Sequence, residues 1–301
     1  MGRYRLITRS DFDGLVCAMI LKELDMLEDI MFVHPKDMQD GMIDVNEKDI
    51  STNVPYLPGV YLAFDHHISE KGTKAVNYIN KPDAASTARV LYEYFGGASR
   101  LKISEELMAA VDKFDSAQYT MDDIVNPKGW VMLSYLLDAR TGLGRFRNFR
   151  ITNYDLMMML LDYCPDHTID EIMRLPDVQE RVKMYYEHEK LFRDQLKGCA
   201  EVVKDVVILH LKNCDPIYVG NRFYVYTLFP QATVSIHEMW GLKKRNTVFT
   251  LGKSIVNRSS NKDLSAICKK HGGGGLMNAA TCQVPNGLAD GILEDILQQL
   301  L

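Results

Sequence analysis

Two short stretches of this chain carry residue types that could do chemistry together. The first is Asp11-Phe12-Asp13-Gly14, and the second, about fifty residues later, is Phe64-Asp65-His66-His67. In extended backbone, residues two apart point to the same side, so Asp11 and Asp13 can address one or two cations jointly. A carboxylate beside imidazoles suits Mn²⁺, Zn²⁺ or Fe²⁺ better than Ca²⁺ or Mg²⁺ alone. Each stretch also has an inert reading: Ser10, Asp11 and Asp13 would cap a helix, and Asp65 would cap beside two exposed histidines. Capping accounts well for one acid, but not for two at this spacing with Asp-His-His further on.

The elements around them put both stretches at comparable places. Tyr4 to Thr8 reads as a strand, and a helical pattern opens after Gly14, with Leu15, Met19 and the region from Leu24 to Leu27 on one face. Tyr61 to Phe64 reads as a buried strand, followed by a polar loop from Ile68 to Gly72. Acids and imidazoles thus stand where strands end at their carboxyl edge, the edge at which open α/β sheets bind ligands. From residue 1 to about 120 strand and helix alternate, which predicts an α/β fold with a largely parallel sheet covered on both faces. Ile30 to Val33 and, more weakly, Val45 to Ile50 are further strands. Asp83 to Thr87 opens a helix capped by Ser86 or Thr87, and another runs from Ser104 to about Phe114.

Residues 125–200 read as mostly helical and end in a linker helix from Asp177 to about Lys197. Arg140-Thr141-Gly142-Leu143-Gly144-Arg145 interrupts them, as a surface turn or a phosphate-contacting loop. Val206 to Leu211, Phe223 to Phe229 and Thr247 to Val256 read as strands, and Asp263 to Lys270 and Ile292 to Leu300 as helices. The expected organisation is a first domain over residues 1–200 and a smaller α+β domain over 202–301.

With 301 residues the chain can bury two cores. A formal charge of -5 argues against a general duplex-binding protein, which would be basic, and leaves room for a small anionic substrate. The six cysteines form no Cys-x-x-Cys pair, so neither a structural zinc site nor a disulfide framework is indicated. Free thiols fit a reducing cytoplasm. The amino terminus lacks an apolar signal core, and no apolar run could span a bilayer. The expected setting is cytoplasmic, with no membrane partner.

Ser10-Asp11-Phe12-Asp13-Gly14 before a helix, Phe64-Asp65-His66-His67 and, late in the chain, His271-Gly272-Gly273-Gly274-Gly275-Leu276-Met277-Asn278-Ala279-Ala280 follow one another in an order that resembles the DHH phosphoesterase superfamily. The likeness spans nearly the whole chain: a DHH domain, then a DHH-associated substrate-binding domain. It implies a metal-dependent hydrolase of phosphodiesters or phosphoanhydrides. Position by position it implies Asp11, Asp13 and His66 as metal ligands. It requires a further acid at a strand end, for which Asp49 is preferred over Asp44, and a fourth at a helix end, Asp115 rather than Asp112. His67 would face the substrate as proton donor or phosphate partner, with Asp65 orienting an imidazole. Two Mn²⁺ ions, replaceable by Mg²⁺ or Co²⁺, would activate a bridging water.

In the second domain, Arg258 and Ser259 resemble the family's Arg-Ser segment, whose arginine would grip phosphate bidentately. Gly272, Gly273, Gly274 and Gly275, with Asn278, correspond to the glycine-rich signature; consecutive glycines let backbone N–H groups approach an anion closely. Two departures stand out. Ile7 and Arg9 occupy positions where relatives place a histidine or acid, so that a first metal site would be weaker, or completed by another group such as His34. Leu276 stands where a substrate-contacting histidine normally follows the glycines.

The function expected is a Mn²⁺-dependent phosphodiesterase of di- or oligoribonucleotides or linear dinucleotides, with a homodimer allowed. Tyr218, Phe223, Tyr224 and Tyr226 offer rings for base stacking, though several must be core. An exopolyphosphatase is the first alternative, against which the acidic charge counts mildly. A non-catalytic nucleotide-binding protein with a degenerate metal site is the second, kept open by Ile7 and Arg9.

Overall fold

Apolar and β-branched runs form the strands of this chain, and a buried apolar helix after the first strand returns the chain to the same direction. A computed structural model describes residues 2–67 and 72–301. Most of the loop expected from Ile68 to Gly72 therefore lies outside the described residues. The elements begin with β1 (Tyr4–Arg9), α1 (Phe12–Glu23), β2 (Leu27–Val33), α2 (Pro35–Gln39), β3 (Asp49–Thr52), β4 (Leu62–Asp65) and β5 (Tyr78–Asn80). Helices α3 (Thr87–Tyr94), α4 (Glu105–Asp115), α5 (Met121–Val125), α6 (Gly129–Leu137), α7 (Asn153–Tyr163), α8 (Ile169–Met173) and α9 (Pro176–Gly198) follow. The remainder is β6 (Ala200–Val203), β7 (Val206–His210), α10 (Val225–Leu228), β8 (Val234–Trp240), β9 (Thr247–Lys253), α11 (Leu264–Lys269), β10 (Gly274–Leu276), β11 (Ala279–Val284) and α12 (Ala289–Leu300).

The chain divides into two compact units: Met1–Tyr119 with Pro127–Lys183, and Thr120–Asn126 with Met184–Leu301. The boundary falls inside α9, and α5 belongs with the second unit.

In the first unit the strands form one parallel sheet in the order β2-β1-β3-β4-β5. Leu6 and Ile7 point to opposite faces of β1 and both are fully buried, so both faces are covered, as a parallel sheet requires. Ile7 packs with Val33, Met38 and Val54. The sequence pattern predicts one apolar face for α1, but the helix is buried continuously from Phe12 to Leu21. It is a core helix rather than an amphipathic one, apolar on every side.

β3 begins at Asp49 rather than Val45, because Asn46 to Lys48 form a turn that the Asp49 carboxylate closes, accepting from the Asn46 N–H at 2.7 Å. The strand then ends at Thr52, and Asn53 turns the chain at φ 56°, a left-handed conformation that asparagine tolerates.

The second unit holds a mixed sheet in the order β10-β11-β9-β8-β7-β6. Only β7 and β8 are parallel in it. Leu264, Ile267 and Cys268 of α11 and Ile296 and Leu300 of α12 pack with Val206, Ile236, Phe249 and Leu251 to form its core. Each such buried aliphatic side chain contributes about 1.5–3 kcal/mol, before the entropy of ordering it is subtracted. The expected strand from Phe223 to Phe229 is instead the short helix α10. The Asn221 side chain accepts from the Phe223 N–H and turns the chain, and bonds from Tyr226 N–H to Phe223 C=O and from Thr227 N–H to Tyr224 C=O follow. No helix among the described residues is long and apolar enough to cross a membrane.

Candidate metal centre

The acids of the Asp11-Phe12-Asp13 stretch are placed by the tight junction between β1 and α1. Asp11 is the N-cap of α1, accepting from the Gly14 N–H at 3.0 Å. A Cβ at Gly14 would lie 2.1 Å from the Arg9 carbonyl oxygen, so only glycine lets the helix start this close to the strand. Asp13, in the first turn of the helix, is fully buried. Its two carboxylate oxygens accept from the N–H groups of Ala88 at 2.7 Å and Thr87 at 3.1 Å, the first turn of α3. An anion at a helix N-terminus is favoured by the unpaired amides and the helix dipole. Burial nevertheless dominates: with the charges of Asp115 and Asp11 it pushes the Asp13 carboxyl up to about 8.

His66 leaves the carboxyl end of β4 with its ring already oriented. Nδ1 lies 3.0 Å from the Ala84 carbonyl oxygen. A carbonyl can only accept, so Nδ1 carries the hydrogen and Nε2 of the neutral ring is a lone pair. That lone pair lies 2.6 Å from Asp115 Oδ2, with no hydrogen-bond partner of acceptable geometry. Two acceptors this close need a cation between them, either a proton or a metal. Burial lowers the affinity of His66 for a proton, but contact with Asp115 and the charge of Asp13 outweigh it and hold the imidazole up at about 10. Asp115, at the end of α4, is correspondingly lowered: its burial opposes ionisation, and His66 overcomes it.

Ligand atoms of Asp13, His66 and Asp115 all lie within 4.8 Å of one another. Two carboxylates and an imidazole whose far nitrogen is tied to a carbonyl form a donor set that fits a divalent transition ion.

His67 and Asp65 flank this set. Asp65 is buried, its Oδ1 taking the His67 Nδ1 at 2.5 Å and the His66 N–H at 2.9 Å, and its Oδ2 accepting from the Tyr78 hydroxyl at 3.1 Å. Burial acts to lower the His67 pKa, but the bond to Asp65 and its charge raise it above the usual imidazole value.

Of the remaining acids, Asp11 lies near enough for the charge of Asp115 to act on it. Asp49 is not part of the centre. It begins β3 instead of ending it, at the opposite edge of the sheet, where it is buried in a two-pronged pair with Arg5 (2.8 Å for both bonds). Its rival Asp44 is exposed, and its carbonyl also accepts from Arg5. The residue that does follow β3 toward the centre is Asn53, buried, with Nδ2 3.4 Å from Asp11 Oδ1. Asp112 serves the scaffold, accepting from Ser86 and from Arg89 at 2.7 Å each. His34 is exposed and caps α2 through Nδ1, away from any role in completing the set.

Two cations that sequence reasoning did not place stand by these acids. Arg9 Nε lies 3.1 Å from Asp11 Oδ2. Arg140, the first residue of the glycine-containing turn, bonds Asp138 at 2.7 Å, and its charge reaches Asp11 and Asp115. The only sequence signal for either was an arginine next to the motif or beside glycines.

The other candidates lie in the second unit. The expected open nest of glycine amides is partly filled: the N–H groups of Gly272 and Gly273 cap α11, donating to the carbonyls of Lys269 and Cys268. Gly274 and Gly275 belong to β10, paired with Thr281 and Ala280. Asn278 sits in the turn to β11, its carbonyl accepting from the Lys253 N–H at 2.9 Å. Arg258 donates from Nε to the Ile255 carbonyl, and Ser259 bonds Asn257. Phe223, Tyr224 and Tyr226 are core, which removes them as stacking surfaces.

No protein-family model and no curated protein matches the chain. Among solved structures, it is similar to the pGpG-specific phosphodiesterase PggH from Vibrio cholerae, at 49% identity over 99% of each chain and a TM-score of 0.81. RecJ from Thermus thermophilus in complex with Mn²⁺ matches 98% of this chain and 51% of its own, at 14% identity and a TM-score of 0.55, a likeness of fold alone. With a relative this near from end to end, and with the Asp-x-Asp and Asp-His-His stretches folded to one sheet edge, the chain belongs to the DHH phosphoesterase superfamily.

Proposed function

We propose that this chain is a divalent-metal-dependent phosphodiesterase that hydrolyses short nucleotides of the 5′-phosphorylated diribonucleotide type, pGpG among them. The observation that carries the reading is the Asp13, His66 and Asp115 set, in a chain 49% identical throughout to a pGpG-specific phosphodiesterase. These three side chains would hold the ion, for which Mn²⁺ is the first choice and Mg²⁺ or Co²⁺ substitutes. When bound, such an ion neutralises charge on a phosphoryl group and makes water a competent nucleophile near neutral pH.

The chain's own residues account for the other requirements. A departing ribose oxygen needs a proton, because an alkoxide is a poor leaving group. His67, whose pKa the bond to Asp65 raises, would supply that proton from Nε2. Asp65 keeps the ring oriented and is itself fixed by Tyr78 and the His66 amide. Arg9 and Arg140 bring fixed positive charge beside Asp11, where charge on the phosphoryl oxygens would otherwise be repelled. Arg258, Ser259, Gly274, Gly275 and Asn278 are the substrate contacts proposed on the second unit.

The test is turnover of pGpG with Mn²⁺, beside inorganic polyphosphate and the Asp115→Asn variant. Wild type is expected to release GMP, with loss of release in the variant and no phosphate from polyphosphate. Intact pGpG after incubation with folded, Mn²⁺-loaded wild type would overturn the reading and favour a nucleotide-binding protein.

A further inference from the structure

The two carboxylates of the Asp11-Phe12-Asp13 stretch are in different electrostatic situations. Asp13 stands with His66 and Asp115, and among the described residues the hydrogen bonds to its carboxylate come from backbone amides rather than from a cationic side chain. Both oxygens of Asp11 already have partners: Oδ1 has the Gly14 amide and the Asn53 side chain, and Oδ2 has the Arg9 guanidinium. On its strand side, Ile7 is buried in the apolar cluster with Val33, Met38 and Val54 and offers no donor. Asn53 brings an amide where a second ion would need charge. Three carboxylates (Asp11, Asp13, Asp115) offset by the Arg9 guanidinium, with Arg140 already paired to Asp138, leave the negative charge that a single divalent ion cancels. A second ion would have to expel Arg9 and would leave the pocket positive.

We infer that the centre takes one divalent ion per chain, on Asp13, His66 and Asp115, and that Arg9 is the built-in cation at Asp11. The inference rests on the metal-dependent reading above and adds its stoichiometry. Arg9 is held through Nε and is one-third exposed, so its two terminal nitrogens can donate to a phosphoryl oxygen. A guanidinium offers a phosphate two parallel hydrogen bonds. A fixed side-chain cation would therefore serve where a second mobile one is absent.

The experiment titrates Mn²⁺ into chelator-stripped protein, counts bound ions by native mass spectrometry, and records the electron paramagnetic resonance spectrum. One ion per wild-type chain is expected, with the six-line signal of an isolated Mn²⁺. The Arg9→Gln/Asn53→Asp double variant, which removes the cation and adds a carboxylate, is expected to take a second ion and lose that signal to exchange coupling. Two tight ions in wild type with a coupled spectrum would overturn the inference and leave the phosphodiesterase reading intact. A folded double variant that still binds one ion with unchanged affinity would overturn the role given to Arg9. Wild type that binds no Mn²⁺ would overturn the metal-dependent reading itself.

Discussion

The side chains of the centre divide into those that would bind an ion and those proposed to move a proton, and the two groups should respond differently to change. Asp65 meets the ring of His67 and, within the three-ligand set, only the backbone N–H of His66, not a ligand atom. Replacing it with asparagine is expected to lower kcat by about 100-fold or more, the scale of general acid catalysis. The Mn²⁺ affinity of that variant should stay within about tenfold, which calorimetric titration would check. The ligands themselves tie ion binding to pH. In the metal-free chain a proton stays on His66 up to about 10 and on Asp13 up to about 8, and an ion must displace both. Affinity for Mn²⁺ should therefore rise with pH: on the order of 100-fold per unit below about 8, where two protons leave, and more gently above it. A flat affinity between pH 6 and pH 8 would contradict the arrangement of His66 against Asp115.

At the level of elements, the centre depends on which end of each strand a residue occupies. Asp49 and Asn53 flank β3, only a few residues apart, yet they serve opposite edges of the sheet. Asp49 is buried, and the guanidinium of Arg5 satisfies it. Removing one partner of such a pair strands the other, so Asp49→Ala is expected to cost roughly 3 kcal/mol of stability, near the lower end for buried pairs because Arg5 is partly exposed. Chemical denaturation would measure the loss. The same variant should still bind its full complement of Mn²⁺, which distinguishes a structural ion pair from a metal ligand.

For the whole molecule, charge bears on which nucleic acids the proposed enzyme would meet. Phosphate-backbone binding to duplexes needs clustered Lys and Arg and weakens steeply with salt, and this chain carries a formal charge of -5. Excess duplex DNA is therefore expected to leave dinucleotide turnover unchanged within about twofold, and the salt slope of KM should reflect the few phosphates of a short substrate. Inhibition by duplex at physiological salt would show a basic surface that the composition does not suggest.

Local patterns were enough to read the alternation of strand and helix, and with it the parallel sheet, because periodicity reports burial directly. They also marked Asp11, Asp13, Asp65, His66 and His67, since residue type and spacing in one short segment are properties of the chain alone. What they could not reveal depended on partners distant in sequence. By residue type and helix position Asp115 and Asp112 are alike, and the resemblance alone favours Asp115; packing of α4 against α3 gives Asp115 to His66 and Asp112 to Arg89. The start of β3 moved because a side chain closed a turn, and that shift carried Asp49 away from the centre and left Asn53 in its place. The glycine run looked free to bind an anion until the end of α11 claimed two of its amides. The sequence by itself determined the kinds of groups present and the layering that collects them at one sheet edge. Only the tertiary structure decided which acid meets which cation, because that depends on strand ends, helix packing and competition for hydrogen bonds, none of which is local.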